Sequence, residues 1–266
     1  MDKKYNGINY KTYGENRGYV LVLLHGYLES SESWNGFAEL FTDEYFVVCP
    51  DLPGHGKSEV EIENSGMETM AESVISLTDH LGIKSFHLAG HSMGGYVSLA
   101  ILEKYPERLN SLVLLHSHCY SDPEEKKENR SREIELVRNG KKELIISTNI
   151  PRLYANDNLE LFSEQIEISR EIALKTSEKG IITALNAMKN RPDCSRLLAE
   201  TVIPVLLIGG RKDNLISFEI MEKMKAIGSG ISLVCLEKSG HMGFIEERER
   251  TANELMKFFD SNFECL

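Results

Sequence analysis

No stretch of this sequence approaches the ~18 consecutive apolar residues that a membrane-spanning helix needs. The first seven residues, Met1 to Gly7, are polar and lack the hydrophobic core of a secretory signal. Cysteine is sparse: Cys49, Cys119, Cys194, Cys235 and Cys265 are odd in number and widely scattered. They form no C-x-x-C or Cys/His ligand spacing, so neither a metal site nor a disulfide framework is indicated. Each reads as a reduced structural thiol, and the expected setting is cytoplasmic. Positive charge is in deficit: the net charge of −11 argues against nucleic acid and anionic membrane surfaces as partners. No internal repeat or low-complexity segment is visible. What remains is a chain of 266 residues, 41% hydrophobic and 27% charged, long enough for one large core or one core with an insertion.

The hydrophobic pattern alternates between two periods. Weak alternation over residues 5 to 13 predicts one or two opening strands. Continuous apolar runs at Tyr19 to Leu24 and Tyr45 to Cys49 read as buried strands. A helix is expected around Trp34 to Phe41. Met67, Met70, Val74, Leu77 and Leu81, at steps of three and four, predict an amphipathic helix whose methionines are core. A further strand is expected at Ser111 to Leu115. Regular strand–helix alternation argues for a parallel sheet with helices on both faces. From Ser121 to about Arg196 the alternation stops and the pattern is helical. Asp122-Pro123-Glu124-Glu125 predicts a helix start, with Asp122 as cap, and Gly140 its end. Strands resume at Val202 to Ile208 and Ile231 to Leu236, with helices at Ser217 to Ala226 and Phe244 to Phe259.

The chemistry concentrates in Ser85 to Tyr96. A short apolar run, Phe86 to Ala89, precedes Gly90-x-Ser92-x-Gly94, and a helix follows. This is the pattern of a nucleophile elbow, in which a serine is forced onto a sharp strand-to-helix turn and only glycine fits beside it. The competing reading is a glycine-rich turn whose serine merely caps the helix. Two later loops supply the partners a nucleophilic serine needs. Gly209-Gly210-Arg211-Lys212-Asp213-Asn214 follows one strand and Ser239-Gly240-His241-Met242 follows the last. In a parallel sheet both loops emerge at the carboxyl edge, beside Ser92. Histidine titrates near neutral pH and can take the serine proton; a carboxylate fixes its tautomer. Asp122, after the Ser111 to Leu115 strand, is the alternative acid.

Over Tyr19 to Phe259 the chain resembles the α/β-hydrolase family, specifically its small, capped members. Besides Ser92, Asp213 and His241, the matching pieces are His25-Gly26-Tyr27, Asp51-x-x-Gly54-x-Gly56-x-Ser58, Tyr105-Pro106-Glu107-Arg108 and Ser239-Gly240-His241. The resemblance implies an eight-stranded, mostly parallel sheet with helices on both faces. It places a hydrolase core at residues 1–120 and 197–266 and a helical cap at 121–196, inserted after the sixth strand. It also implies an oxyanion hole from the backbone N–H groups of Tyr27 and Met93. The loop reads His25-Gly26-Tyr27-Leu28 rather than the His-Gly-Gly-Gly of many lipases. Ser92 at the elbow disfavours the aspartate-nucleophile branches, haloalkane dehalogenases and epoxide hydrolases.

The expected activity is therefore hydrolysis of a small carboxylic ester, thioester or lactone through an acyl-enzyme, with no cofactor and no metal. Another reaction at the same triad, such as carbon–carbon bond hydrolysis, and a ligand-binding receptor with negligible turnover share these residues. The expected partner is a small-molecule ester, not nucleic acid or membrane, and oligomeric state is left open. His116 and His118 are candidates for substrate contact, with plain packing as the competing reading. His25, His55 and His91 sit beside turns and read as loop braces, and Trp34 reads as core.

Overall fold

A computed structural model describes residues 2–16, 18–60 and 66–261; of the five cysteines, Cys265 lies outside them. The strands are β1 (Lys3–Tyr5), β2 (Ile8–Tyr13), β3 (Val20–Leu24), β4 (Phe46–Pro50), β5 (Phe86–His91), β6 (Leu109–Leu115), β7 (Val205–Gly210) and β8 (Ile231–Leu236). They form one sheet in the order β1-β2-β4-β3-β5-β6-β7-β8. The β1–β2 and β2–β4 pairs are antiparallel, and every later pair is parallel. β3, β5 and β7 are buried at every residue, as strands covered on both faces must be, whereas β8 at the edge is mixed.

The helices of the core are α1 (Met67–His80) and α2 (Met93–Lys104). α1 buries Met67, Met70, Ala71, Val74 and Leu77, the stripe its sequence period predicts. α2 follows β5 directly and is buried from Met93 through Leu102. Between β6 and β7 the chain forms α3 (Glu124–Arg138), α4 (Lys142–Asn149), α5 (Ser163–Lys175), α6 (Glu178–Asn190) and α7 (Ser195–Glu200), with short 3-10 turns and no strand. The remaining helices are α8 (Phe218–Lys225), α9 (Gly243–Glu246) and α10 (Arg248–Asp260).

Four expectations need correction. The helix expected around Trp34 to Phe41 is two 3-10 turns, Ser31–Trp34 and Ala38–Phe41, broken at Gly36 with its φ of +75°. Asp122 does not cap α3. Pro123 occupies that position without a side-chain bond, because the Asp122 carboxylate is held by the guanidinium groups of Arg130 and Arg191. β7 starts at Val205 rather than Val202, since Pro204 has no N–H for the ladder and offers its carbonyl to Leu112. The last helix is split at Glu247, whose backbone (φ −129°, ψ 51°) is not helical.

One backbone contact docks the helical segment onto the core. Gly54, in the loop after β4, has a φ of +83°, and its carbonyl oxygen would lie 2.0 Å from a Cβ placed on Gly180 of α6. Neither chain can yield there, because the opposing atoms are backbone. Gly180→Ala should therefore cost about 1–3 kcal/mol of stability through overpacking. Urea denaturation measures it, and an unchanged midpoint would contradict this account of the contact.

Candidate active site

Ser92 sits between β5 and α2 at φ +50°, ψ −114°, a conformation that L residues rarely adopt. The surrounding bonds hold it there. Its N–H donates to the Leu115 carbonyl at 2.9 Å, and the Ser117 hydroxyl donates to its carbonyl at 2.8 Å. A Cβ on Gly90 would lie 2.4 Å from the Gly94 carbonyl oxygen, and one on Gly94 2.4 Å from that of Leu24. The two flanking glycines are thus demanded by backbone proximity. No bond from the Ser92 side chain caps α2, so the capping reading of this serine falls. Met93 opens α2, and its N–H has no acceptor within the helix.

The carboxyl ends of β7 and β8 bring Asp213 and His241 together. Asp213 Oδ1 accepts the N–H groups of Leu215 and Ile216 at 2.8 and 3.0 Å. Its Oδ2 accepts from His241 Nδ1 at 2.7 Å and from His116 Nδ1 at 3.2 Å. Burial alone would raise the Asp213 carboxyl, but His241 and His116 outweigh it and hold it well below the usual carboxylate range. The His241 backbone N–H donates to the Leu153 carbonyl at 2.7 Å, and its Nε2 is buried without a hydrogen-bond partner among the described residues. Ser92 and His241 line one cavity of about 180 Å³, smaller than the ~300–1,000 Å³ of sites for drug-sized ligands. Tyr27, Tyr96 and His118 line it from the core, and Lys126, Arg130, Arg152 and Met188 from the helical segment.

The sequence candidates divide clearly. His118 lines the cavity beside Tyr96, whose hydroxyl lies 3.3 Å from His118 Nε2. His116, the other candidate for substrate contact, takes the packing alternative: it is fully buried against Asp213. Its Nε2 accepts the Gly243 N–H at 3.2 Å, which leaves the proton on Nδ1 for Asp213. Asp122 lies with Arg130 and Arg191 rather than against His241. His116, Asp213 and His241 hold ligand-type atoms within 4.8 Å of one another. Their Nδ1 atoms both face the carboxylate at hydrogen-bonding distance, the arrangement of an orienting acid rather than of lone pairs open to a metal.

His91, read from the sequence as a loop brace, has a buried acidic partner, Glu29, that the sequence did not mark. His91 Nδ1 lies 2.9 Å from Glu29 Oε1, and its Nε2 lies 2.9 Å from the His241 carbonyl. Both neighbours are acceptors, so both ring nitrogens carry protons and His91 is a cation. Burial opposes this, but the Glu29 carboxylate overrides it and raises His91 above its ordinary value. Glu29 Oε2 also accepts the Gly26 N–H at 2.9 Å, and His25 Nε2 accepts that of Leu52 at 2.8 Å. The loop carrying Tyr27 is thereby tied to the elbow and to the His241 loop. Glu246 is a second hidden tie: it accepts from Gly240 at 2.8 Å, Ala155 at 2.9 Å and the Asn158 amide at 2.7 Å. It joins the His241 loop to the helical segment.

With this geometry in place, known proteins can be compared. A family model described as the alpha/beta hydrolase fold matches residues 19–135. The solved structure of a thermophilic esterase from Thermogutta terrifontis is 32% identical, with a TM-score of 0.91 over 96% of this chain and 93% of that one. The acetyltransferase component (dihydrolipoyllysine-residue) of an acetoin cleaving system from Pseudomonas putida is 27% identical over 92% of this chain, which spans only 64% of that longer protein. The 3-oxoadipate enol-lactonase 2 of Acinetobacter baylyi is 28% identical over 77% of this chain and 76% of its own length. The chain belongs to the α/β-hydrolase family.

Burial sets the acid response of the protein. It lowers His87 and His116 to about 4 and His55 and His118 to about 3, and it lowers His25 as well. These imidazoles stay neutral when folded but take up protons near pH 6.5 when unfolded. Their contribution to stability is therefore lost as pH falls from about 6.5 toward 4. His91, raised, acts in the opposite sense but is one against five. The urea midpoint at constant ionic strength should fall steadily from pH 7.5 to 4.5; a flat or rising midpoint would contradict these assignments.

Proposed function

We propose that the protein is a serine hydrolase that cleaves a small carboxylic ester, a thioester or lactone being the same chemistry on a related carbonyl. One observation carries this reading. His241 bonds Asp213 through Nδ1 while its buried Nε2 is unpartnered in the cavity that Ser92 also lines. The bond from the Ser92 hydroxyl to Nε2 is not formed in this structure; catalytic hydrogen bonds often close only once substrate fills the site. Identity of 32% to an esterase over nearly the whole chain supports the reaction class, and 28% to an enol-lactonase keeps lactones within it.

In the proposed mechanism His241 Nε2 takes the Ser92 proton as Oγ attacks the substrate carbonyl. Asp213 holds the imidazole with its other proton inward and stabilises the imidazolium that forms. The backbone N–H groups of Met93 and Tyr27 receive the developing oxyanion; one such donor is typically worth ~2.7–4 kcal/mol of barrier. His241 then protonates the leaving alcohol, and water repeats the sequence on the acyl-enzyme. The segment 121–196 acts as a cap over the pocket, a small-molecule ester is the partner, and the setting is cytoplasmic.

Assay of p-nitrophenyl esters of increasing chain length should give turnover that falls on the order of 10⁴–10⁶-fold in Ser92→Ala, with the fold retained. Asp213→Asn should lose most of kcat. Asp122→Asn should instead lose thermal stability, since removing one partner of a buried ion pair costs ~3–5 kcal/mol. Near-normal turnover in Ser92→Ala would remove the serine from its role, and a kcat loss confined to Asp122→Asn would move the acid.

A further inference from the structure

The cavity is electrostatically unlike the rest of the molecule. The chain has a net charge of −11, yet Lys126, Arg130 and Arg152 all line the space in which Ser92 and His241 meet. Asp122 pairs with Arg130 and with Arg191 behind it, the Arg191 contact being 2.8 Å. Lys126 and Arg152 have no ion-pair partner within 4.0 Å among the described residues. Two carboxyls line the same cavity: Glu29, which is taken up by His91, and Glu133, which burial pushes up from its ordinary value. Burial first, then Arg130, pushes the Lys126 ammonium down from its ordinary value, with Asp122 working against them. The buried Tyr27 hydroxyl, a further donor at this wall, has no hydrogen-bond partner among the described residues.

We propose that Lys126 and Arg152, with Arg130 and the Tyr27 hydroxyl behind them, form a subsite for a carboxylate carried by the substrate. The site thus favours acidic esters or lactones, those bearing a free carboxylate besides the bond that is cleaved. This deepens the hydrolase reading and rests on it for the chemistry, but not for the binding. A carboxylate placed here meets an ammonium and a forked guanidinium, the donors that recognise it best, in a recess where water screens weakly. An acidic surface elsewhere leaves this opening as the place where an anion is drawn in.

The test uses two pairs of esters and one ligand that needs no turnover. Mono-p-nitrophenyl glutarate is compared with p-nitrophenyl valerate, and 4-acetoxybenzoate with phenyl acetate, so that the charge sits on the acyl or the alcohol side. At least one acidic member should have a kcat/KM roughly tenfold or more above its neutral partner, as the loss of a charge-assisted contact implies. That ratio should shrink with added salt, collapse toward one in Lys126→Gln/Arg152→Gln, and recover in part with Lys126→Arg. Glutarate alone, titrated into the protein and followed by the shift in Tm, should bind the native chain and not the double variant. Equal or lower rates for both acidic esters overturn the subsite, as does glutarate binding that the double variant retains. If no ester is hydrolysed at all, the hydrolase reading fails and the glutarate titration still decides the subsite.

Discussion

Everything at the site depends on one turn of backbone being held where it would not rest by itself. Ser92 at φ +50°, ψ −114° is strained, and the strain persists because its N–H, its carbonyl and both flanking glycines are fixed by β3, β6 and α2. Were the Gly94 position any larger, α2 would be pushed off the β3 end and Met93 would leave its place at the head of the helix. The strained turn lifts the serine side chain out of the sheet and presents the helix terminus beside it. A second constraint works on the loops around it. The charged pair of Glu29 and His91 links Gly26, the elbow and the His241 carbonyl, so three separate chain segments are held in register by one buried contact. Buried pairs of this kind add little net stability but fix a unique arrangement, which is what a preset site requires.

The electrostatics follow a simple division. Burial keeps most of the imidazoles neutral, and at His116 it outweighs even the neighbouring Asp213 carboxylate. Asp213 is the reverse case: two imidazole donors and two backbone N–H groups keep it an anion in the interior. One carboxylate thus serves two histidines, of which only His241 reaches the cavity with Ser92. The insertion between β6 and β7 contributes the opposite charge, lining the same space with cations.

Much of this was legible in the sequence, and the reasons are physical. Buried parallel strands announce themselves as unbroken apolar runs: the run Tyr19 to Leu24 became β3 at Val20–Leu24, and the half-exposed edge strand β8 also fell at Ile231 to Leu236. Glycines around a serine carry meaning because backbone proximity excludes every other residue. Chain topology then told which loops share the carboxyl edge, so Ser92, Asp213 and His241 could be grouped without a contact in hand. What stayed hidden depends on tertiary distance alone. Nothing near Glu29 or Glu246 in sequence marks them as ties, since the partners that make them so, His91 for Glu29 and Ala155 for Glu246, lie 62 and 91 residues away. Asp122 had the local look of a helix cap and lost that role to Arg191, 69 positions along the chain, through the stronger charge-assisted bond. His116 and His118 are two residues apart and were treated alike, but the positive φ of His116 (+48°) turns its ring inward to Asp213.

The central claim is that Ser92, primed by His241, is the group that becomes covalently acylated. Mass spectrometry after brief exposure to diethyl p-nitrophenyl phosphate tests it without knowledge of the natural substrate. The account predicts one diethylphosphoryl group per chain, carried by the peptide that contains Ser92, and slow or absent labelling once His241 is replaced by alanine. An unmodified Ser92 peptide, or label that lands on another residue at the same rate, would contradict it.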